Sequence, residues 1–351
     1  MKVLMVGVDK TTRGGMWTVV ENYLNDKEFM EKTQMKYIPT SVTGSKIKKV
    51  IFSGKALMHV LFEMSIKRYD ILHAHMSERG SVYRKSIILS LAKLCGCKTI
   101  LHMHGAEFES WYRHSNSKTQ KYVKKTLDKA DQIIILGAYW QKFIETLITD
   151  KERIKVVYNA VSVPDCNQYN IKASKLLFLG VVGKRKGMDD LLDAIKCIEN
   201  EMGKDVKLLV YGPDFDYGID RKIGEMDLGH IVEYKGWLDK LEREKVFSEI
   251  AINILPSYNE GLPMTILETM AYGIPNISTN IAAIPEVVDE KSGILIEPGD
   301  SKSLAVAIKL MMENDGLRLK KSDYAYADMK KKFSISYHMN KIIEIYTGME
   351  E

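Results

Sequence analysis

Short apolar runs alternate with longer amphipathic stretches along the whole chain, and this alternation restricts the fold more than any other property. KVLMVGV (2–8), YDILHAH (69–75), KTILHMHG (98–105), DQIIILG (131–137) and RIKVVYNAV (153–161) form a first series. Segments such as GSVYRKSIILSLAKLCG (80–96) separate them. Short runs with helix-like spacers read as a parallel sheet whose two faces are both covered. The pattern pauses at SVPDCNQYNIKAS (162–174), which is polar and irregular and reads as a linker. It restarts with KLLFLG (175–180), DVKLLVYG (205–212), HIVEYKG (230–236), IAINILPS (250–257), IPNIST (274–279) and SGILIEP (292–298). The expected architecture is α/β, with two Rossmann-like parallel-sheet domains, 1–163 and 164–332, facing a cleft. A C-terminal helix, about 333–351, is expected to rejoin the first domain.

Bulk properties agree with that division. A chain of 351 residues, 45% hydrophobic and 28% charged, suits two soluble domains. No apolar run reaches the roughly 18 residues of a spanning helix. The N-terminal apolar stretch is too short for a signal peptide and reads as a strand. Cys95, Cys97, Cys166 and Cys197 show no CxxC spacing and read as reduced thiols of a cytoplasmic protein. Charge is uneven: residues 1–165 hold 27 Lys+Arg against 16 Asp+Glu, and the remainder 24 against 30. A basic first half suits an anionic partner such as a membrane surface, although solvated surface lysine gives the same count.

The stretch NEGLPMTILETMAYGIP (259–275) concentrates the chemistry. It follows a strand, and Pro263 suits the first turn of a helix that Gly273 and Pro275 end. The helix start, 262–265, with Gly261 beside it, is a ready anion site, and phosphate is the natural anion. Glu260 precedes the helix and can accept bonds from hydroxyls of whatever the phosphate carries. Glu268 is set back about one and a half turns, the remove of a ribose in a nucleoside diphosphate. Two surface glutamates of an amphipathic helix would look the same without the flanking residues.

With those flanks, and with STNIAAIPEVV and SGILIEPGD following, the chain resembles the retaining GT-B glycosyltransferases of family 4, bacterial surface-polysaccharide type. LLFLGVVGKRKGMDDLLDAI (176–195), IKVVYNAV (154–161) and Gly14–Gly15 extend the resemblance through both domains. It implies a first domain that binds the acceptor and a second that binds a nucleotide sugar, with UDP favoured. The implied activity is hexosyl or N-acetylhexosaminyl transfer with retention, independent of metal and cofactor. The implied acceptor is a saccharide, lipid-linked in the best case, and no nucleic acid is involved. Location would be cytoplasmic, peripheral at the inner face of the cell membrane. Residue by residue, Lys186 matches the lysine on the donor phosphates. Glu260 matches the glutamate near the donor sugar, Glu268 the one on the ribose, and His104 the histidine beside the reaction centre. Gly15 matches the loop approaching phosphate and acceptor, and Gly261, Leu262, Pro263, Met264 and Thr265 the donor-binding turn. The family's phosphate-clamping arginine is replaced by Val181, so Lys184 or Arg185 would have to substitute. Ala160 stands where glycine is usual.

Other signals compete. Asp214 and Asp216 form a DxD, which in a different glycosyltransferase class holds a metal. His73 and His75, and His102 and His104, are spaced to share strand faces and could ligate zinc or nickel, giving a metal-dependent hydrolase as the alternative reading. A non-catalytic sugar-nucleotide binder is a third. Arg79, Arg84 and Lys85 in SERGSVYRK could meet a lipid-linked diphosphate acceptor, or simply face water. KALMHVLFEMSIKRY (55–69) reads first as a packed helix, and alternatively as one lying on a membrane.

Overall fold

The computed structural model describes residues 1–12, 14–203 and 205–349. The chain divides into two units: Met1–Asn159 with Ile335–Glu351, and Ala160–Ser334. The crossing falls at 159/160 rather than 163/164. Val161 donates its N–H to the Phe333 carbonyl (3.0 Å) and bridges Ser334, which ties this segment into the second unit.

The first unit is a six-stranded sheet of β1 (Val3–Val8), β2 (Lys36–Ser41), β3 (Ile71–Met76), β4 (Lys98–Met103), β5 (Gln132–Ile135) and β6 (Ile154–Val156). The order is β2-β1-β3-β4-β5-β6, and every pairing is parallel. β2 escaped the sequence reading. Its sequence KYIPTS carries Pro39, which a ladder tolerates only at an edge, and β2 is the edge strand. β3 is buried at every residue, as a strand covered on both faces must be.

The second unit repeats the plan with β7 (Lys175–Leu179), β8 (Leu208–Tyr211), β9 (Val232–Gly236), β10 (Ile250–Leu255), β11 (Asn276–Thr279) and β12 (Gly293–Ile296). The order is β12-β11-β10-β7-β8-β9, again all parallel. Leu177, Leu179, Leu209, Tyr211, Ile250 and Ile274 form part of one core cluster here.

In each sheet the chain steps outward in both directions from its first strand. The strand order therefore reverses between β1 and β3, and between β7 and β10. Connections on either side of such a point leave in opposite directions and open a crevice at the carboxyl ends of the strands. The helix Ile335–Thr347 packs in the first unit, burying His338, Met339, Ile342 and Tyr346.

Candidate active site

In the second unit, the loops after β7 and β10 meet at the reversal point. The β7 loop ends in a tight turn, Lys184–Lys186, followed by Gly187 at φ +73°. A Cβ at Gly187 would lie 1.9 Å from the Pro256 carbonyl oxygen, so only glycine lets the two loops approach this closely. Two bonds lace them: Tyr258 N–H to the Arg185 carbonyl (2.9 Å), and the Arg185 guanidinium to the Asn259 carbonyl (2.8 Å). Across this junction the Lys186 ammonium is ion-paired with the Glu260 carboxylate, and both side chains are nearly buried. The Ser257 hydroxyl donates to the same Glu260 oxygen (2.7 Å). A cation and an anion 74 residues apart are thus joined at the mouth of the sheet.

The helix after Glu260 runs Met264–Ala271, one residue later than expected, and Pro263 sits at its N-cap position. Pro263 has no N–H, so it cannot contribute to an anion-binding helix start. The amides of Met264 and Thr265 are in the first turn, where no preceding helical carbonyl is available. The Thr265 hydroxyl is buried without a hydrogen-bond partner among the described residues. Gly261 and Leu262 are buried beside them. Glu268 is further along and carries an ion pair with Arg243 (2.8 Å). Burial raises its carboxyl above the usual range, and Arg243 opposes that rise. Arg243 was not identified from the sequence; a lone arginine in LEREKVF gives no periodic or motif signal. Lys184 and Val181 are exposed, and Arg185 is engaged with the Asn259 carbonyl.

Asp214 is occupied otherwise. Its carboxylate accepts the N–H groups of Tyr217 (2.8 Å), Gly218 (3.2 Å) and Ile219 (2.7 Å), closing a turn. Neither Asp214 nor Asp216 belongs to a group of three metal-ligating side chains among the described residues.

In the first unit, the histidines converge into one stack. His75 pairs in register with His102 on the neighbouring strand. His73 Nε2 meets His102 Nδ1 (3.1 Å), and His75 Nδ1 meets His104 Nε2 (2.8 Å). Tyr346 Oη bonds His73 Nδ1 (2.6 Å). The Tyr23 hydroxyl bonds His338 Nε2 (2.6 Å), while His338 Nδ1 donates to the Tyr158 carbonyl (2.8 Å). Burial pushes His73 and His104 down to about 3 and His338 to about 4, so the stack is neutral at pH 7. Donor atoms of His73, His75 and His102 lie within 4.8 Å of one another, and no carboxylate or cysteine joins that group among the described residues. His104 is the half-buried member, at the carboxyl end of β4.

A cavity of about 310 Å³ lies at the reversal point of this unit, walled by Gly14, Gly15, Ser41, His75, Arg84 and Lys85 among others. Arg79 is not on its wall. It is exposed, holds φ +57°, and pairs with Glu107 (3.1 Å).

Comparison with known proteins agrees with this architecture. Residues 167–328 match the family described as Glycosyl transferases group 1, and residues 23–163 match Glycosyltransferase Family 4. The two matches span most of both units, and the chain belongs to these glycosyltransferases, with the GT-B fold. An uncharacterized 41.2 kDa protein in the cps region of Klebsiella pneumoniae is 26% identical over 97% of this chain and 99% of its own length. An Escherichia coli UDP-Gal:alpha-D-GlcNAc-diphosphoundecaprenol alpha-1,3-galactosyltransferase is 27% identical over 84% of this chain and 79% of its own. Among solved structures, Anabaena HepE in complex with UDP superimposes with a TM-score of 0.78 at 15% identity, covering 99% of this chain and all of that one.

Proposed function

We propose that the chain transfers a hexose or N-acetylhexosamine from a UDP-sugar to a hydroxyl of a lipid-linked saccharide, with retention and without a metal, in surface-polysaccharide synthesis. The observation that carries this reading is the Lys186–Glu260 pair at the reversal point of the second sheet. There the ammonium is held beside a helix start, where a diphosphate would meet both. The names of the Escherichia coli relative and of the HepE complex supply UDP as the nucleotide, and the former supplies a diphosphate-linked lipid acceptor.

In the proposed step, the acceptor hydroxyl oxygen bonds to the anomeric carbon as the bond from that carbon to the diphosphate breaks. The departing phosphate oxygen takes the hydroxyl proton on the same face, so no protein nucleophile is required. Lys186 stabilises charge growing on the diphosphate. Glu260 orients the sugar hydroxyls, Glu268 holds the ribose, and Gly261 to Thr265 form the turn around the phosphates. The resemblance gives His104 to the donor sugar, and Gly15 to the loop that approaches phosphate and acceptor. Turnover of a panel of UDP-sugars, with product anomers read by NMR and an EDTA arm, tests this. Inverted product, or complete loss that metal reverses, would overturn the corresponding part.

The helix Lys46–Ile66 favours work at a membrane surface. Its outer face exposes Ile47, Val50, Ile51, Met58, Phe62 and Ile66, with Lys46, Lys48, Lys49 and Lys55 alongside. An apolar stripe flanked by lysines suits an anionic lipid interface. No helix among the described residues is long and apolar enough to cross a membrane. Sedimentation with anionic vesicles at low salt is expected, with release by salt and loss in Phe62→Glu. Equal binding by that variant would remove the helix from the interface.

A further inference from the structure

We propose that the cavity at the reversal point of the first unit binds a phosphate or diphosphate group of the acceptor, gripped by Lys85 and Arg84. This rests on the transferase reading for the identity of the ligand, but the case for an anion is independent of it. Lys85 is buried in the helix Gly80–Leu94, and its ammonium donates to the neutral Thr40 hydroxyl. Arg84, next to it, has a buried Nε without a partner among the described residues. Both line the cavity, and no aspartate or glutamate is among the described residues on its wall. Glu78, the nearest acid in sequence, is packed onto Gly105 instead, where an added Cβ would lie 2.3 Å from its carboxylate.

Two adjacent cations, one of them fully buried and neither paired with a carboxylate among the described residues, are costly without a counter-charge. Burial, with Arg84 beside it, pushes the Lys85 ammonium down to about 7. The remaining wall also favours an anion. The helices Gly15–Asn25 and Gly80–Leu94 both begin at this cavity, and neither has a side-chain cap or an acid in its first turn. Elsewhere in the same unit Asp26, Ser45 and Asn116 cap helices, while Phe108–His114 and Ala138–Glu145 also start without a side-chain cap. His75 also lines the cavity, and its buried Nε2 has no partner among the described residues. An oxyanion entering here would accept bonds from Lys85, Arg84 and the first-turn amides of Gly15–Asn25, and neutralise the lysine.

The same chemistry could come from the donor's phosphates, so the test separates the two sources. Full-length protein saturated with UDP is titrated calorimetrically with farnesyl diphosphate, with farnesol as the uncharged control. The expected result is binding of the diphosphate and at least tenfold weaker binding of farnesol. Lys85→Met and Arg84→Gln should each weaken the diphosphate at least tenfold, with UDP affinity within about twofold of wild type. Arg84 is only half-buried, so its variant keeps the test valid if the other folds poorly. No binding of the diphosphate, equal binding of farnesol, or unchanged binding by folded variants overturns the proposal. Parallel loss of UDP affinity assigns the cavity to the donor and overturns the acceptor assignment. Failure of wild type to bind UDP removes the transferase reading alone, since farnesyl diphosphate still reports on the cavity.

Discussion

The two units place their functional groups at the same topological position and treat charge there in opposite ways. In the second unit, the loops beyond β7 and β10 bring Lys186 to Glu260, and Arg243 covers Glu268 nearby. Lys186 and Arg243 each have a carboxylate, whereas Arg185 of the same loop as Lys186 is held by the Asn259 carbonyl. In the first unit, the loops beyond β1 and β3 surround a cavity whose cations, Arg84 and Lys85, have no carboxylate on the same wall. A stack of neutral histidines lies under it. A paired site is organised before its ligand arrives, and the ligand must displace an internal partner. An unpaired site is strained until a counter-charge enters. The fold is the same in both, so the difference belongs to side chains and not to topology.

The sharpest way to break this comparison is at Lys186. Lys186→Ala removes the phosphate cation and leaves Glu260 buried without its partner. Turnover is expected to fall about 100-fold, the scale of losing one preorganised donor to developing charge. Wild-type kcat and KM in this variant would refute the role.

Smaller effects should separate the two glutamates. Glu268→Gln removes a carboxylate from the proposed ribose contact and is expected to weaken UDP binding about 10- to 100-fold. Glu260→Gln frees Lys186 from its internal partner, so UDP should bind as well as to wild type, or better, while turnover falls. Calorimetry with UDP alone reads both. Loss of UDP by Glu260→Gln, with Glu268→Gln unaffected, would swap the assignments.

Lys186, Glu260 and Glu268 of the second unit stand out in the sequence one by one, because they lie inside dense local patterns. Glu260, Gly261, Pro263 and Glu268 share one loop and helix, and KRKG carries its own glycine. What the pattern could not show was that Lys186 and Glu260 touch, which depends on the strand order β10-β7. Nor could it show Arg243, a single surface-type residue with no local context. The first unit was harder to read. Its histidines were visible as two pairs at strand spacing, but their fusion into one stack follows from the β3–β4 register. His338 and Tyr346 reach that stack from the far end of the chain. In SERGSVYRK, Lys85 reads equally as an acceptor contact and as a residue facing water, and nothing there separates it from Arg79. Only the helix's orientation buries it and leaves Arg79, six residues earlier, outside on Glu107.

That burial has a pH signature peculiar to the first unit. Lys85 is held at about 7 in the folded state against 10.5 in the unfolded chain. Between those values the unfolded state binds more protons at this lysine, so its contribution to stability rises with pH across that window. The histidines act lower. His73, His104 and His338, depressed below 6.5, contribute stability that is present above 6.5 and lost as pH falls toward 3. The two windows do not overlap, so a thermal series from pH 7 to 10 isolates the lysine from them. Lys85→Met has no charge to bury, and its melting point at pH 7 should exceed that of wild type. Each kcal/mol relieved in a unit of this size corresponds to about 2–4 °C. By pH 10 the gap should have narrowed as the wild-type lysine loses its proton. Tryptophan fluorescence suits the measurement, since Trp17, Trp111 and Trp140 lie in the first unit and only Trp237 in the second. A constant gap between the two proteins from pH 7 to 10 would mean that Lys85 keeps its charge comfortably in the empty cavity. The contrast between a paired and an unpaired site would then have to rest on Arg84 alone.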